Sequence, residues 1–318
     1  MKKMSRCLYC YEVLSDETQQ EYHDTCAKHF FGTVVAPVLS YEMSEIAQLA
    51  KNVVERSVTV PGVQPKLSMG VVEKNIGDGQ SGRMTILDAL EGLYILKPQN
   101  ENYIQMPENE HLSMRLAELF DINVVSSILI RMASGELCYI TKRVDRTANS
   151  KKLHMIDFLQ ILELEDKYLG TMEQVGKEIG ELSSYTALDK MRFFELAVFN
   201  FIIGNNDMHL KNFSMLCIDN VWGLSPAYDL LNVKIVLPKD KDDFALNLGG
   251  KKKNQNRAYF ERFAEVLKLN KKQVNNVFSR IEEWNKKAVE LINKSFLSED
   301  LKKDYLLTIN TQIERLKQ

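Results

Sequence analysis

Asp207, Asn212 and Asp229 carry the most specific chemistry in the chain. The stretch Asn205-Asn206-Asp207-Met208-His209-Leu210-Lys211-Asn212 brings a carboxylate, an imidazole, an amine and side-chain amides into eight residues. Asp229 follows seventeen residues after Asn212, in Pro226-Ala227-Tyr228-Asp229. An acid, an Asn five positions on and a second acid after a hairpin-length gap form a polar skeleton for phosphoryl transfer. In enzymes built on such a skeleton the first Asp orients the nucleophilic hydroxyl, and the Asn and later Asp hold magnesium on the nucleotide. Mg²⁺ takes oxygen ligands and keeps several waters, so one carboxylate and one amide oxygen make a sensible protein share. Taken alone, the same residues also fit a polar loop in which Asp caps a turn and Asn satisfies backbone groups.

Such a loop has to be held rigidly, because a misplacement of about 1 Å can cost roughly a hundredfold in rate. The helical pattern Leu188–Ile203 just before it is apolar enough to be buried. Lys97 ends an apolar strand, Leu93-Tyr94-Ile95-Leu96-Lys97-Pro98, where an amine can pair with nucleotide phosphates as the β3 lysine of protein kinases does. A plain exposed strand-end lysine is the other reading. Glu110 opens the following helix, either as the ion-pair partner of Lys97 or as a first-turn acid favoured by the helix dipole. The segment from Ser57 to Lys66 reads as strand, turn and strand. Its Gly62 and backbone amides could cradle phosphates, with Lys66 nearby, although it lacks the spacing of a Walker loop. A hairpin without a ligand fits the same pattern.

Around these residues the first ~145 positions read mostly as sheet, by the alternation of apolar and polar residues. Strands are expected at Ser57–Val60, Lys66–Glu73, Leu93–Lys97, Val124–Arg131 and Leu137–Arg143, with a loop at Gly77, Gly79 and Gly82. Helices are expected at Ser44–Arg56 and from Glu108 to Phe120. After Asp145 the pattern turns helical at Met155–Leu162, Glu173–Ser183 and Leu188–Ile203. Short strands follow at Phe213–Cys217 and Val221–Leu224, and helices run from Ala258 to the end. The expected fold is α+β and bilobal. A Cys/His-containing segment at 1–32 packs on a sheet-rich lobe at 33–145, and a helical lobe spans 146–318.

Composition narrows the classes. The chain has 318 residues, 45% hydrophobic and 26% charged, which is ordinary for a globular protein. A formal net charge of -2 argues against a general nucleic-acid binder, so no direct DNA binding is expected. No apolar run is long enough to span a membrane, and no apolar stretch follows the basic N-terminus. Five cysteines, three of them in the first 26 residues, fit a reducing compartment, with the cytoplasm as the default.

Taken together and in order, several motifs resemble the HipA family of bacterial serine/threonine-kinase toxins. They are Thr59-Val60-Pro61-Gly62-Val63-Gln64-Pro65-Lys66, Tyr94-Ile95-Leu96-Lys97-Pro98, Glu108-Asn109-Glu110, Thr141-Lys142-Arg143-Val144-Asp145-Arg146, the Gly204–Phe213 loop and Pro226–Asp229. The resemblance implies a kinase-like fold and use of ATP and Mg. It makes Asp207 the hydroxyl-orienting acid or general base, and Asn212 and Asp229 the Mg ligands. Lys97 would hold the phosphates, and His209 and Lys211 would complete the loop. The backbone of Lys142–Val144 would bind adenine, and Gly62, Val63, Gln64 and Lys66 would belong to the phosphate loop. Thr59 stands at the family's autophosphorylation position, where Ser is the common residue, and Ser57 is a second acceptor. The resemblance further points to a short HipT-like form, expected to do without the extra N-terminal subdomain of full-length members. There a small separate protein supplies it and a DNA-binding antitoxin completes the module. An aminoacyl-tRNA synthetase is the implied substrate. A catalytically silent member of an antitoxin complex is the opposing reading, against which the intact Lys97, Asp207, Asn212 and Asp229 speak. A small-molecule phosphotransferase shares the acid–amide–acid skeleton but leaves the Thr59–Lys66 segment unexplained.

The N-terminus carries a separate pattern, Cys7-x2-Cys10-x12-His23-x2-Cys26. Three thiolates and an imidazole suit a tetrahedral structural zinc site. A reduced cluster packing Tyr9, Tyr11, Phe30 and Phe31 is the alternative. Cys138 and Cys217 read as core thiols, His154 as a surface residue, and Lys251-Lys252-Lys253 as a solvated loop.

Overall fold

The structure, a computed structural model, describes residues 5–15, 20–46, 48–49, 66–72, 82–87, 92–147 and 149–318. Ser57, Thr59, Gly62, Val63 and Gln64 lie outside those residues. So do the expected strand at 57–60 and most of the expected helix Ser44–Arg56, of which 43–46 and 48–49 are helical. The chain divides into two compact units. One comprises Met1–His111, Val125–Ser150 and Lys294–Phe296; the other comprises Leu112–Val124, Lys151–Asn293 and Leu297–Gln318.

The first unit is built on a five-stranded antiparallel sheet. Its strands are β1 (Leu67–Val72), β2 (Arg83–Ile86), β3 (Tyr94–Lys97), β4 (Ser127–Arg131) and β5 (Leu137–Lys142), in the order β2-β1-β3-β5-β4. β5, half of it aromatic or β-branched (Tyr139, Ile140 and Thr141), is buried along almost its whole length and takes an interior place between β3 and β4, as such residues favour. Its register sets Lys97 opposite Tyr139 and Tyr94 opposite Lys142. Two helices belong with this sheet, α1 (Asp24–Phe31) and the start of α2 (Met106–Leu119). Pro107 lies in the first turn of α2, where a missing N–H costs nothing.

The second unit is mainly helical, with a three-stranded antiparallel sheet. That sheet consists of β6 (His154–Asp157), β7 (Ser214–Ile218) and β8 (Val221–Leu224), in that order. The helices are α3 (Phe158–Ile161), α4 (Met172–Leu182), α5 (Thr186–Ile203), α6 (Arg257–Val266), α7 (Lys271–Ser279), α8 (Ile281–Lys294) and α9 (Glu299–Leu316). α5 is the core element. From Phe193 to Ile203 all but one of its side chains are buried, and Phe193, Phe194 and Phe201 meet Phe213, Phe244, Phe260 and Phe263 mostly edge to face. Gly204 ends it at φ +71°, a left-handed cap that turns the chain into the Asn205–Asn212 loop. No helix among the described residues is long and apolar enough to cross a membrane.

The structure departs from the sequence reading at four points. The helical pattern Met155–Leu162 resolves into strand β6 followed by a single helical turn, because pairing of His154–Asp157 with β7 supplies backbone bonds that overrule a weak helical period. Residues 83–86, unassigned from sequence, form β2, whose Met84 is buried and whose residues pair with β1. Cys138 is a core thiol as expected, whereas Cys217 is only half-buried. The N-terminal segment also contains a helix, α1, that its polar composition conceals.

Candidate active site

Tight local bonding surrounds the polar loop after α5. The Asn205 amide donates to the Asn200 side-chain oxygen at 2.9 Å, and the Asn200 amide donates to the Leu196 carbonyl at 2.9 Å. The Asp207 N–H reaches Asn205 Oδ1 at 3.4 Å. Asp207 itself is exposed, and Tyr168 donates its hydroxyl to Asp207 Oδ1 at 3.0 Å. Desolvation, reinforced by the Asp207 charge, pushes the Tyr168 hydroxyl well above its usual range, so it stays a donor. His209 is buried, with Nε2 2.8 Å from Lys167 Nζ; because an ammonium can only donate, that ring nitrogen accepts. The Tyr168 and His209 rings meet edge to face at 5.4 Å. Lys211 is exposed, and its carbonyl accepts the Tyr228 hydroxyl at 3.0 Å.

Asn212 and Asp229 are brought together. The buried Asn212 donates from Nδ2 to Asp229 Oδ2 at 3.0 Å, and its Oδ1 is a buried acceptor with no hydrogen-bond partner. Asp229 has φ +62°, a left-handed backbone that costs a non-glycine residue roughly 1–3 kcal/mol. Strain of that size persists only where the surroundings impose it. Here it sets the carboxylate against the Asn212 amide group, whose nitrogen donates to it and whose oxygen lacks a donor.

The first unit holds the other candidates. Lys97 and Glu110 are both buried, with Nζ 2.5 Å from Oε1, and Lys97 Nζ lies 5.5 Å from the centre of the Tyr139 ring. The ion-pair reading of Glu110 is therefore the one its geometry supports. Lys142 is half-buried, with Nζ 5.4 Å from the Phe30 ring centre, and desolvation lowers its ammonium pKa. Its N–H bonds to the Ser126 carbonyl at 2.9 Å, and the Arg143 N–H to Leu93 at 2.8 Å. Val144 sits in the turn that follows, stiffened by Arg143 and Arg146, which both bind the Asp145 carboxylate. Lys66 is exposed immediately ahead of β1. At the N-terminus, ligand atoms of Cys7, Cys10, His23 and Cys26 all lie within 4.8 Å of one another.

Tyr168 and Lys167 are site residues that sequence reasoning missed. They stand some forty residues before Asp207 in a polar loop, and no periodicity or spacing links such distant positions.

Residues 58–289, well over half of the chain, match the family model described as the HipA-like C-terminal domain. The chain belongs to the HipA-like family. The matched region takes in every candidate from Thr59 to Asp229 and leaves out the cysteine cluster. Similar curated proteins include a provisionally named kinase of Haemophilus influenzae, 27% identical over 70% of this chain and 65% of its own length. A provisionally named kinase of Sinorhizobium fredii is 34% identical over 61% of this chain and 49% of its own. The serine/threonine-protein kinase toxin HipA of Shewanella oneidensis is 28% identical over 55% of this chain and 43% of its own. The HipA-like chain thus spans between 43% and 65% of the length of these relatives. Among solved structures, the Shewanella oneidensis HipA–HipB–operator DNA complex aligns with a TM-score of 0.68 at 18% identity, covering 96% of this chain and 74% of that one. The Helicobacter pylori kinase CtkA aligns at 0.51 and 16% identity, covering 70% and 87%. These likenesses establish an α+β, kinase-like fold.

Proposed function

We propose that the protein is an ATP- and Mg-dependent kinase that phosphorylates a Ser or Thr hydroxyl of a protein, acting as the toxin of a toxin–antitoxin system. The observation that carries this reading is the Asn212–Asp229 pair. An orphaned buried amide oxygen beside a strained carboxylate is a donor set of hard oxygens, which fits Mg²⁺. Mg-ATP, when bound, supplies the phosphoryl group and neutralises its charge.

The chain's own residues divide the remaining work. Asp207 accepts the hydrogen bond of the incoming hydroxyl and takes up its proton, while Tyr168 fixes the carboxylate by bonding Oδ1. His209, tied to Lys167, holds the loop's shape, and Lys211 adds an exposed cation next to it. Lys97, oriented by Glu110, binds phosphate oxygens, and the backbone of Lys142–Val144 receives adenine. The register separates Lys97 from Lys142 by about 10 Å along the sheet, at roughly 3.3 Å per residue, enough to serve the two ends of one nucleotide. Gly62, Val63, Gln64 and Lys66 cover the phosphates. Phosphorylation of Thr59, or of Ser57, adds about -1.5 to -2 of charge beside them and weakens ATP binding by at least about tenfold. Equal ATP affinity of phosphorylated and unphosphorylated protein in a calorimetric titration would sink that idea.

The relatives' names and the structure with HipB and operator DNA support the toxin role and a DNA-binding antitoxin as partner. A separate small antitoxin protein and an aminoacyl-tRNA synthetase substrate rest on the motif resemblance alone. The test is labelled phosphate. The γ-labelled nucleotide is incubated with the protein and a bacterial lysate, and phosphoamino-acid analysis reads the product. Label on phosphoserine or phosphothreonine that disappears with Asp207→Gln is expected. Equal labelling by the variant overturns the proposal, and label on a small molecule instead favours the phosphotransferase reading.

A further inference from the structure

Besides the active-site residues, one group of metal-binding side chains converges among the described residues. Cys7 and Cys10 sit on a tight turn in which the Tyr11 N–H bonds the Cys7 carbonyl at 3.0 Å and the Cys7 N–H bonds Glu12 at 2.9 Å. His23 and Cys26 come from the start of α1. His23 Nδ1 lies 3.4 Å from Cys10 Sγ and 3.9 Å from Cys26 Sγ. A tetrahedral zinc site with Zn–S near 2.3 Å and Zn–N near 2.0 Å has ligand-to-ligand edges of about 3.5–3.8 Å, so these separations already straddle the required value. The other ring nitrogen of His23 is accounted for. Nε2 lies 3.2 Å from the Val13 carbonyl, and donation there leaves the Nδ1 lone pair facing the thiols, the outer bond that metal-ligating histidines commonly make.

We propose that Cys7, Cys10, His23 and Cys26 bind one structural zinc ion, and that this ion clamps the turn carrying Tyr11 onto the start of α2. Tyr11 holds φ +66°, a left-handed conformation that bulky residues resist, yet its ring is fully buried. Its hydroxyl is 2.7 Å from His111 Nδ1, and its ring packs on His111 and Phe296. His111 directly follows Glu110, the partner of Lys97. From the other half of the cluster, α1 carries Phe30 onto Tyr94 of β3 and beneath Lys142. A short segment with so little core of its own is the sort that a metal stabilises. One arm therefore ends beside Glu110, the partner of Lys97, and the other at Lys142, and this consequence rests on the kinase reading above.

Full-length protein purified without chelator is expected to contain about one zinc per chain by elemental analysis. Cys10→Ser loses it, and His23→Cys, which offers four thiolates, keeps it. After zinc is stripped, Co²⁺ should give the visible absorption of a tetrahedral thiolate site. Hydrogen exchange at residues 106–111 of the wild type should rise at least tenfold on stripping and return with zinc. No stoichiometric zinc, or full zinc content in Cys10→Ser, would overturn the site, and unchanged exchange would overturn the clamp. None of these measurements uses phosphoryl transfer. A zinc-loaded protein that transfers no phosphate fails the kinase reading alone, and an active protein without zinc fails this one alone.

Discussion

Lys97 and Glu110 face each other at 2.5 Å with almost no access to water, and that burial sets what mutation of either will do. Removing one partner leaves an uncompensated buried charge, at a cost of about 3–5 kcal/mol, whereas replacing both with apolar residues is often close to neutral. Lys97→Met and Glu110→Leu should each lower the melting temperature, and the double variant should regain most of that loss. Phosphoryl transfer should stay at least about a hundredfold down in Lys97→Met and in the double variant, because the cation itself is gone. A double variant less stable than either single, or an active Lys97→Met, would contradict the assignment. At this scale the sequence was informative where chemistry is local. Asp207 and Asn212 share one loop and Lys97 ends a recognisable strand. Tyr168, Lys167 and the Tyr11–His111 contact were illegible, because each joins residues that only tertiary packing brings together.

At the scale of elements, α5 is what makes the Asn205–Asn212 loop a fixed object. Its apolar run was legible as a buried helix, and its end at Gly204 is where rigidity passes to Asn205. A Cβ at Gly204 would stand 2.7 Å from Thr308 Cγ2 and demand φ +71°. Gly204→Ala should therefore cost about 1–3 kcal/mol. For a unit of this size, differential scanning calorimetry should read that as a fall of roughly 2–4 °C per kcal/mol. An unchanged melting temperature would show that the cap is not strained. β6, misread from sequence, and β2, left unassigned, are four residues each. Over so few positions helical and strand periods are barely distinguishable, and the deciding factor is a partner strand elsewhere in the chain.

At the scale of the whole molecule, Asp242 and Asp243 link the last helix of the second unit to the Asn205–Asn212 loop. Asp243 receives both Arg315 terminal nitrogens, at 2.8 and 2.6 Å, and the preceding carbonyl of Asp242 accepts from Asn206 at 3.1 Å. Burial alone would raise the Asp243 pKa, but the bonds and charge of Arg315 outweigh it and hold the carboxyl below its usual range. Its contribution to stability is thus fully present above about pH 4, the unfolded value, and is lost as pH falls through the lower folded value. Asp243→Asn should be less stable at neutral pH and should lack that part of the acid-limb loss in a pH series of denaturant titrations. A variant whose acid limb parallels the wild type would refute the link. The resemblance in the motifs reached family and fold, which the family match and the HipA-like architecture bear out.

The central claim concerns roles, and binding and transfer read together in three proteins test it most directly. Mg-dependent ATP affinity and γ-phosphate transfer are measured in the wild type, Asp207→Gln and Asp229→Asn. The expected pattern is that Asp207→Gln binds Mg-ATP as the wild type does but transfers nothing, while Asp229→Asn loses Mg-dependent binding and transfer together. Full transfer by Asp207→Gln, or undiminished Mg-dependent binding by Asp229→Asn, would contradict the account.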